Sequence, residues 1–370
     1  MKRKILTTLS VLTLIGLVFV SNKFSAKSFG NSYRLFENRL INADKAGQDG
    51  GRGGGNATRY NVTTLVLISK PAAETKIPRT PAGVPKIIHF VYRDANVLAP
   101  YREALQTCVT KNPDWQVVLW TDQAIKAFMQ KHFSSHMKVF ESFPHKIQRS
   151  DAIRYLILYK YGGLYMDLDM TCHAPLLPSL ASHSCFLDSE RRHQTQFLHG
   201  RQYSAMNSAM GCTPEHPFFR QVIQFVFRPS TAKRNFLFPV SIFSTTGPEM
   251  LTKQFDLWKR DAANPTVVML NETYFSPKIN PRSGIYGRCK SMAPRLQRHS
   301  GGLSPSQRVC LQLQQMGFEK SDELFITNRT VAIHQFTHLG YHKQRMPTFD
   351  AYKEFPRLIT YEQLESSQLL

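Results

Sequence analysis

The segment from Ile147 to Asp169 reads IQRSDAIRYLILYKYGGLYMDLD and decides the fold. Its first part belongs to a helix predicted over residues 146–160. Large apolar residues recur there every three or four positions, at Ile153, Leu156, Ile157 and Tyr161. Ser150 is the predicted N-cap, which places Asp151 in the first turn, where negative charge is favourable. The pair Gly162-Gly163 then predicts the end of the helix.

The second part of the segment predicts a strand from Leu164 that ends in the triplet Asp167-Leu168-Asp169. Residues i and i+2 of a strand face the same side, so the two carboxylates are expected side by side. Two such charges repel each other and raise one pKa, unless a divalent cation binds between them. Carboxylate oxygens are the ligands that Mn²⁺ and Mg²⁺ prefer. The triplet therefore predicts a divalent-metal site at a strand end.

Strands and helices alternate before this segment. Strands are predicted over Lys86–Tyr92 and Trp115–Trp120, and helices over Ala99–Asn112 and residues 122–133. This alternation predicts an α/β fold with a mostly parallel central sheet. Ligands of such sheets bind beside the carboxyl ends of the strands.

The N-terminus directs the chain to a membrane. Three basic residues at positions 2–4 precede an apolar run from Ile5 to Val20. This run belongs either to an uncleaved signal-anchor over residues 5–22 or to a cleaved signal peptide. We expect the anchor, with a cytosolic tail over residues 1–4 and the catalytic domain in the lumen. The prediction is a single-pass type II protein of the Golgi membrane.

A luminal location narrows the possible partners of this strongly basic chain. The chain has 47 Lys and Arg against 26 Asp and Glu, a formal net charge of +21. Because the lumen holds no nucleic acid, we expect no nucleic-acid partner, and the charge suits anionic membranes or phosphate-bearing substrates. The competing interpretation is a non-enzymatic basic protein that binds nucleic acid or glycosaminoglycan.

Composition divides the rest of the chain. Residues 23–83 contain a glycine run and a proline-rich end, and they predict a flexible luminal stem. Residues 84–345 are the predicted catalytic domain, and residues 346–370 are a predicted C-terminal tail. Six cysteines allow three disulfides in an oxidising compartment, or they remain buried thiols. Among the pairings, Cys289–Cys310 is favoured.

The helix, the Gly-Gly break and the Asp-x-Asp triplet closely resemble the signature of glycosyltransferase family 32, which has a GT-A-type nucleotide-sugar-binding fold. Further blocks resemble the family in the same order along the chain: VPKIIHFVY, NPDWQVVLWTD, SAMNSAMGCTPEHPFF and STTGPEML. These blocks are most similar to those of inositol-phosphoceramide mannosyltransferases. The Asn-Asp pair common in the family is replaced here by Asn207-Ser208, which leaves the acceptor-side geometry open.

The resemblance implies catalytic roles for five residues. Asp169 would bind the metal and the diphosphate, and Asp167 would contact the ribose and, through water, the metal. Asp151 and Arg154 would hold the donor sugar and the diphosphate, which suits a guanidinium because it binds oxyanions bidentately. Asn207 would lie on the acceptor-facing side of the sugar, with a structural role as its alternative.

Two further groups follow from the resemblance. Phe90, Val91 and Tyr92 would flank the nucleobase, although core packing is the alternative for Tyr92. The segment HQFTHLGYH resembles the family's C-terminal histidine block, in which His334 would be a third metal ligand and His338 a second candidate. A histidine there also fits a structural or solvated role.

The implied reaction is a retaining transfer of a sugar to a hydroxyl group, dependent on Mn²⁺ or Mg²⁺. We expect GDP-mannose as donor and a glycolipid such as inositol-phosphoceramide as acceptor. UDP-galactose or UDP-N-acetylglucosamine is the alternative donor, for transfer to a glycolipid or a glycoprotein glycan. Another alternative is an inactive protein that binds a nucleotide sugar. Asp188 and Glu190 are candidate nucleophiles by polarity alone, and a same-face mechanism remains equally open.

Overall fold

The computed structural model describes residues 77–229, 241–296, 302–337 and 346–366. The predicted cytosolic tail, the signal-anchor, the stem up to residue 76 and His338 lie outside these ranges. Among the described residues, no helix combines the length and the apolar character needed to cross a membrane.

Eleven strands are formed within these ranges. They are β1 (Ile87–Val91), β2 (Asn96–Leu98), β3 (Gln116–Trp120), β4 (Gly163–Met166), β5 (Met170–Cys172), β6 (Cys185–Ser189), β7 (Ala205–Cys212), β8 (Val268–Met269), β9 (Ala332–His334), β10 (Thr348–Asp350) and β11 (Leu358–Ile359).

Helices alternate with these strands over most of the described chain. The α-helices are α1 (Arg102–Lys111), α2 (Asp122–His132), α3 (Met137–Ser142), α4 (Lys146–Tyr161), α5 (Leu176–Ser179), α6 (Arg192–His199), α7 (Pro217–Val226), α8 (Ile242–Thr245), α9 (Pro248–Trp258), α10 (Ile285–Leu296), α11 (Pro305–Gln315), α12 (Ala351–Glu354) and α13 (Tyr361–Ser366). Short 3₁₀ helices cover Ala99–Tyr101, Ser134–His136, Pro281–Ser283 and Phe318–Phe325.

Seven strands form the main sheet in the order β11-β3-β1-β4-β7-β6-β8. Four of its six pairings are parallel, and only those that β7 makes with β4 and β6 are antiparallel. The predicted α/β fold with a mostly parallel sheet is therefore confirmed. Two ribbons complete the topology, β10 with β2 and β5 with β9, and both are antiparallel.

The sheet is buried on both faces. Alternate residues of β1 lie in opposite layers, with Ile87 in the core beneath α2, α4 and α7 and Ile88 in the core on the other side. This explains why β1 reads as a continuous apolar run rather than as an alternating pattern. A third, smaller core lies between α10 and α11 and is separate from both layers.

The helix before the Asp-x-Asp triplet begins earlier than Ser150. His145 is its N-cap, and a reciprocal capping box joins His145 to Gln148. Ser150 therefore lies inside α4, where its hydroxyl donates to the Lys146 carbonyl at 3.4 Å. The predicted Ser150 cap is wrong because His145 supplies the same backbone hydrogen bonds one turn earlier.

The predicted end of this helix is confirmed at Gly162-Gly163. Gly162 and Gly163 have φ values of +67° and +86°. A Cβ at Gly163 would lie 2.7 Å from the Ile87 carbonyl oxygen, so a side chain has neither the conformation nor the space there. The two glycines let β4 enter the sheet directly against β1.

Residues 346–366, predicted as a tail, are part of the folded domain. β10 pairs with β2, and β11 is the edge strand of the main sheet beside β3. Phe349, Leu358 and Leu364 are buried, so this segment contributes to the core. At the other boundary, Ile77 is also buried, although it lies within the predicted stem.

All six cysteines are paired, as Cys108–Cys172, Cys185–Cys212 and Cys289–Cys310. The favoured Cys289–Cys310 pairing is confirmed, and it joins α10 to α11. Cys108–Cys172 joins α1 to β5, the strand that directly follows the Asp-x-Asp triplet.

Candidate active site

The carboxyl ends of the parallel strands meet at one edge of the sheet. Tyr92 follows β1, Asp167 follows β4, and Glu190 follows β6. β7 runs the opposite way, so the beginning of this strand, which carries Asn207, lies at the same edge. The topology therefore collects the predicted site residues from four strands at the place where open α/β sheets bind ligands.

The Asp167-Leu168-Asp169 triplet is a turn and not the end of a strand. β4 ends at Met166, and the Met170 amide donates to the Asp167 carbonyl oxygen at 3.1 Å. Leu168, the middle residue of the triplet, is buried, and its side chain packs into the core and anchors the turn there. The expected strand geometry is wrong, yet the turn still brings both carboxylates together.

A histidine completes this pair of carboxylates. One ligand atom each from Asp167, Asp169 and His334 lies within 4.8 Å of the others. Nε2 of His334 is 3.2 Å from Oδ1 of Asp169, while its Nδ1 is buried without a hydrogen-bond partner among the described residues. Burial acts to lower the pKa of His334, but Asp169 and Asp167 outweigh it and the net shift is upward.

These three residues fit a divalent cation. Carboxylate oxygens suit Mg²⁺ and Mn²⁺, and an imidazole beside them favours Mn²⁺, because nitrogen ligands suit transition metals. A second group of metal-ligating residue types, Cys185, Cys212 and His216, does not fit an ion, because the two cysteines are joined in a disulfide.

Asp169 is held by the segment that follows β9. The Thr337 amide donates to Oδ2 of Asp169 at 3.0 Å, and the Gln335 amide donates to its carbonyl oxygen at 3.0 Å. The pairing of β5 with β9 places Met170 opposite His334, which fixes the histidine beside the turn. Thr337 was not predicted, although it lies within the histidine-containing segment.

Arg154 connects α4 to the turn. Its guanidinium donates to Oδ1 of Asp167 at 2.9 Å and to the Asn207 carbonyl at 2.6 Å, and it lies 3.2 Å from Oδ1 of Asp151. Its side chain is 5% exposed and packs over the Tyr165 ring at 4.6 Å. These contacts orient Asp167, which also accepts from the Tyr165 hydroxyl at 2.8 Å. The predicted contact of Arg154 with a diphosphate stays a prediction.

Asp151 lies behind Arg154 in a buried hydrogen-bond network. Asn207 Nδ2 donates to one of its carboxylate oxygens and the Thr246 hydroxyl donates to the other, each at 2.9 Å. Asn207 Nδ2 also lies 3.2 Å from the Tyr155 hydroxyl, which donates to the Thr246 carbonyl at 2.7 Å. Burial raises the pKa of Asp151 despite the opposing effect of Arg154. Burial likewise raises the pKa of Asp167.

This network contains residues that the sequence did not single out. Thr246 lies in the STTGPEML block, and Tyr155 and Tyr165 lie within the α4–β4 segment, but their types suggested only core packing. The burial of Asp151 and Asn207, both about 5% exposed, shows that they support the site from below.

The three residues predicted to flank a nucleobase differ in exposure. The Phe90 ring is fully buried in the core, so only the backbone of this residue is left to flank a nucleobase, and its predicted role stays a prediction. The side chain at this position of β1 faces into one of the two core layers. Val91 and Tyr92 are partly exposed at the strand end, and Tyr92 packs edge-on against Tyr101 at 5.8 Å.

The two candidate nucleophiles are already engaged. Asp188 is fully buried, accepts from the Ser189 amide at 2.8 Å and from the Ser276 hydroxyl, and burial raises its pKa to about 8. Glu190 accepts from Thr195 at 2.8 Å and from Gln194, and burial raises its pKa as well. Neither carboxylate presents an unpaired oxygen to the turn.

Comparisons with known proteins agree with the predicted family. Residues 100–187 match the family described as "Glycosyltransferase sugar-binding region containing DXD motif". The inositol phosphoceramide mannosyltransferase 1 of Schizosaccharomyces pombe is 34% identical over 191 residues, which cover 51% of this chain and 56% of that protein. The mannosyl phosphorylinositol ceramide synthase SUR1 of Saccharomyces cerevisiae is 34% identical over 201 residues, 54% of this chain and 49% of that protein.

A human relative is similar over a shorter stretch. The human alpha-1,4-N-acetylglucosaminyltransferase is 30% identical over 110 residues, which cover 30% of this chain and 25% of that protein. The chain spans about half the length of the two fungal relatives it matches.

Proposed function

We propose that this chain is a retaining, metal-dependent glycosyltransferase with a GT-A-type fold. Its residues 100–187 match the DXD sugar-binding region of glycosyltransferases, which confirms the predicted resemblance to family 32. The proposed donor is GDP-mannose, and the proposed acceptor is a glycolipid such as inositol-phosphoceramide. The names of the two fungal relatives support mannose as the transferred sugar and inositol-phosphoceramide as the acceptor. We further propose a type II orientation in the Golgi membrane, for which the basic and apolar N-terminus of the sequence is the support.

One observation carries the proposal. Asp167, Asp169 and His334 converge within 4.8 Å at the carboxyl edge of the sheet, although His334 lies far away in sequence. Packing alone does not require two carboxylates at one turn, because their repulsion costs stability when no cation is bound. A site that binds the metal–diphosphate part of a nucleotide sugar gives this arrangement a purpose.

Each residue has a distinct task in the proposed reaction. Asp169 and His334 would hold the divalent cation, and Asp167 would take part through an oriented oxygen or a water. When bound, the cation supplies Lewis-acid stabilisation to the leaving diphosphate. Arg154 orients Asp167 and adds positive charge beneath the site, where negative charge develops as the sugar leaves. Tyr92 would cover the nucleobase.

Retention of configuration is proposed to proceed on one face of the sugar. The bond from the anomeric carbon to the phosphate oxygen breaks, and a bond from that carbon to the acceptor oxygen forms on the same side. The acceptor proton passes to the departing phosphate oxygen. The engaged states of Asp188 and Glu190 favour this route over a covalent intermediate, because neither carboxylate presents a free oxygen to the site.

The test is a donor panel with the full-length protein in mixed lipid–detergent micelles. We expect transfer from GDP-mannose to an inositol-phosphoceramide acceptor with Mn²⁺, and its loss on chelation. Asp169→Asn should reduce kcat by about 10²–10³, the magnitude typical of losing one electrostatic contact to a transition state. Asp114→Asn, at an exposed surface pair, is the matched control and should retain activity. An Asp169→Asn enzyme with full activity would refute the proposal.

The panel also tests the second donor class. Similarity to the human N-acetylglucosaminyltransferase supports N-acetylglucosamine as an alternative sugar, so UDP-N-acetylglucosamine and UDP-galactose belong in the same assay. Transfer from either UDP-sugar, with none from GDP-mannose, would replace the proposed donor but keep the enzyme class. Binding of a nucleotide sugar without transfer to any acceptor would indicate an inactive binding protein.

A further inference from the structure

The region between β8 and β9 is unusual in charge. From Thr273 to Phe318 the sequence contains seven Lys or Arg residues and no Asp or Glu. Half of this stretch forms α10 and α11, a helical hairpin with its own small core and the Cys289–Cys310 disulfide. We call α10 and α11 the basic hairpin.

The cations of the basic hairpin face outward. Arg288, Lys290 and Arg295 on α10 are exposed, as is Arg308 on α11, while the opposite face of α10 packs into the small core. Arg288 and Arg295 are seven residues apart, which is two helical turns, so they lie on one face of α10. Among the described residues, the only ion pair of these four cations is the one between Lys290 and Glu319. The hairpin therefore presents a largely uncompensated positive face.

The basic hairpin is attached directly to the active-site edge. Arg191, which follows β6, is fully buried and donates to the Pro277 carbonyl at 2.9 Å and to Asp322. The Tyr286 hydroxyl of α10 donates to the same Asp322 carboxylate. Gln194 on α6 accepts from the Asn280 amide at 2.7 Å, which fixes the chain just before the hairpin.

A second connection reaches the metal-binding residues themselves. The segment that leads into the hairpin contains Phe275, whose carbonyl accepts from the His334 amide at 3.2 Å. Lys278 in the same segment donates to Oε1 of Gln335 at 3.2 Å, next to His334 in sequence. The hairpin is thus held beside the end of the site formed by β6 and β9, away from Tyr92 and the nucleobase side.

We propose that the basic hairpin docks on an anionic lipid surface and so presents phosphate-bearing acceptor lipids to the active site. This inference rests on the proposed function, because a glycolipid acceptor resides in a membrane. Charge complementarity selects the occupant, since a face with four exposed Lys and Arg and a single paired acid, Glu319, is attracted to anionic head groups. Its attachment near β6 and β9, three strands away from the β1 end that carries Tyr92, gives the docking a catalytic use.

The test measures hydrogen–deuterium exchange of α10 and α11 in the full-length protein as vesicles are added. We expect protection with vesicles of phosphatidylcholine containing about a quarter phosphatidylserine, and little with phosphatidylcholine alone. The protection should disappear near 0.5 M NaCl, because the screening length falls from about 10 Å at 0.1 M towards 3 Å at 1 M. Because exchange is measured for the peptides of α10 and α11 themselves, docking of the hairpin is distinguished from any membrane contact of the N-terminus.

A triple variant supplies the quantitative arm. Lys290→Gln, Arg295→Gln and Arg308→Gln together should raise the lipid concentration for half-maximal protection about a hundredfold, since each basic residue near an anionic surface contributes about fivefold. The matched control removes three exposed cations elsewhere, by Lys111→Gln, Lys126→Gln and Arg260→Gln, and should behave as the wild type.

Outcomes separate this inference from the proposed function. Protection without any sugar transfer would sustain the docking and defeat the enzyme proposal. Normal transfer with identical exchange in both kinds of vesicle would overturn the docking alone. Protection by soluble heparin but not by anionic vesicles would also overturn it, because the face would then serve a soluble polyanion. In an active enzyme, the triple variant should raise KM for vesicle-bound acceptor and leave KM for the donor unchanged.

Discussion

Removing the carboxylate of Asp151 should destabilise the protein far more than neutralising it. Asp151 receives three donors inside the domain: Asn207 and Thr246 at 2.9 Å each, and Arg154 at 3.2 Å. In Asp151→Ala all three lose their acceptor in a buried place. Loss of one partner from a buried ion pair typically costs about 3–5 kcal/mol. Arg154 keeps Asp167, so we expect about 3 kcal/mol, towards the lower end.

Asp151→Asn should be much milder. The amide oxygen can still accept from Asn207, while the new NH₂ group faces the Thr246 hydroxyl, which can rotate to accept and then donate to the Ile242 carbonyl at 3.4 Å. What is lost is the charge opposite Arg154, and burial already raises the pKa of Asp151, so the charge itself is disfavoured there. We expect a cost of about 1 kcal/mol, the difference between a charged and a neutral hydrogen bond.

The assay is equilibrium urea unfolding in detergent, followed by tryptophan emission. Trp115, Trp120 and Trp258 are all buried and report on the core. Asp114→Ala is the control, because Asp114 is 51% exposed in its pair with Lys86 and such pairs contribute under about 1 kcal/mol. Equal destabilisation by the Ala and Asn substitutions at Asp151 would refute the hydrogen-bond argument.

Three further outcomes are expected. Burial lowers the pKa of His89 from 6.5 to about 4. In the window between these two pH values the unfolded chain therefore binds more protons than the folded protein. Stability should fall by up to about 3 kcal/mol as the pH drops through the window, and His89→Gln should flatten this dependence of urea midpoints on pH. Gly163→Ala should cost more than about 2 kcal/mol in urea unfolding, whereas Gly287→Ala, in a helix with open space around it, should be neutral or slightly stabilising. Mn²⁺ at a hundred times its Kd should stabilise the wild type by about 2.7 kcal/mol in thermal unfolding and leave Asp169→Asn unshifted.

The local parts of the fold were predictable from sequence because their signals are local. Helix α4 and the Gly-Gly break follow from periodicity and from residues with special backbone freedom, and β1 and β3 follow from short apolar runs. At Asp167–Asp169 the sequence predicts a strand end where the structure has a turn, because two carboxylates flanking one apolar residue fit both conformations. The backbone hydrogen bond from the Met170 amide to the Asp167 carbonyl distinguishes the turn from a strand, and the sequence gives no sign of this bond.

The edge strand β11 and the fully buried Phe90 could not be predicted for a different reason. β11 has two residues, too few for a periodic pattern, and its burial depends on the neighbouring β3. Phe90 and Val91 are both apolar and point to opposite faces of β1, so the apolar run alone does not say which of them is buried, and the pairing of β1 with β3 and β4 decides it. Tertiary context, rather than propensity, decided both.

The same distinction divides the active site into two halves. Arg154 and Asp167 are 13 residues apart and meet through the turn between α4 and β4, so this contact forms within one local unit. Thr337 reaches Asp169 across 168 residues, and His334 reaches it through the pairing of β9 with β5. Closing this long loop costs about 2 kcal/mol more than closing the 13-residue one. The metal-binding half therefore depends on the free energy of the β5–β9 pairing, and a cation held by Asp169 and His334 would stabilise that pairing in return.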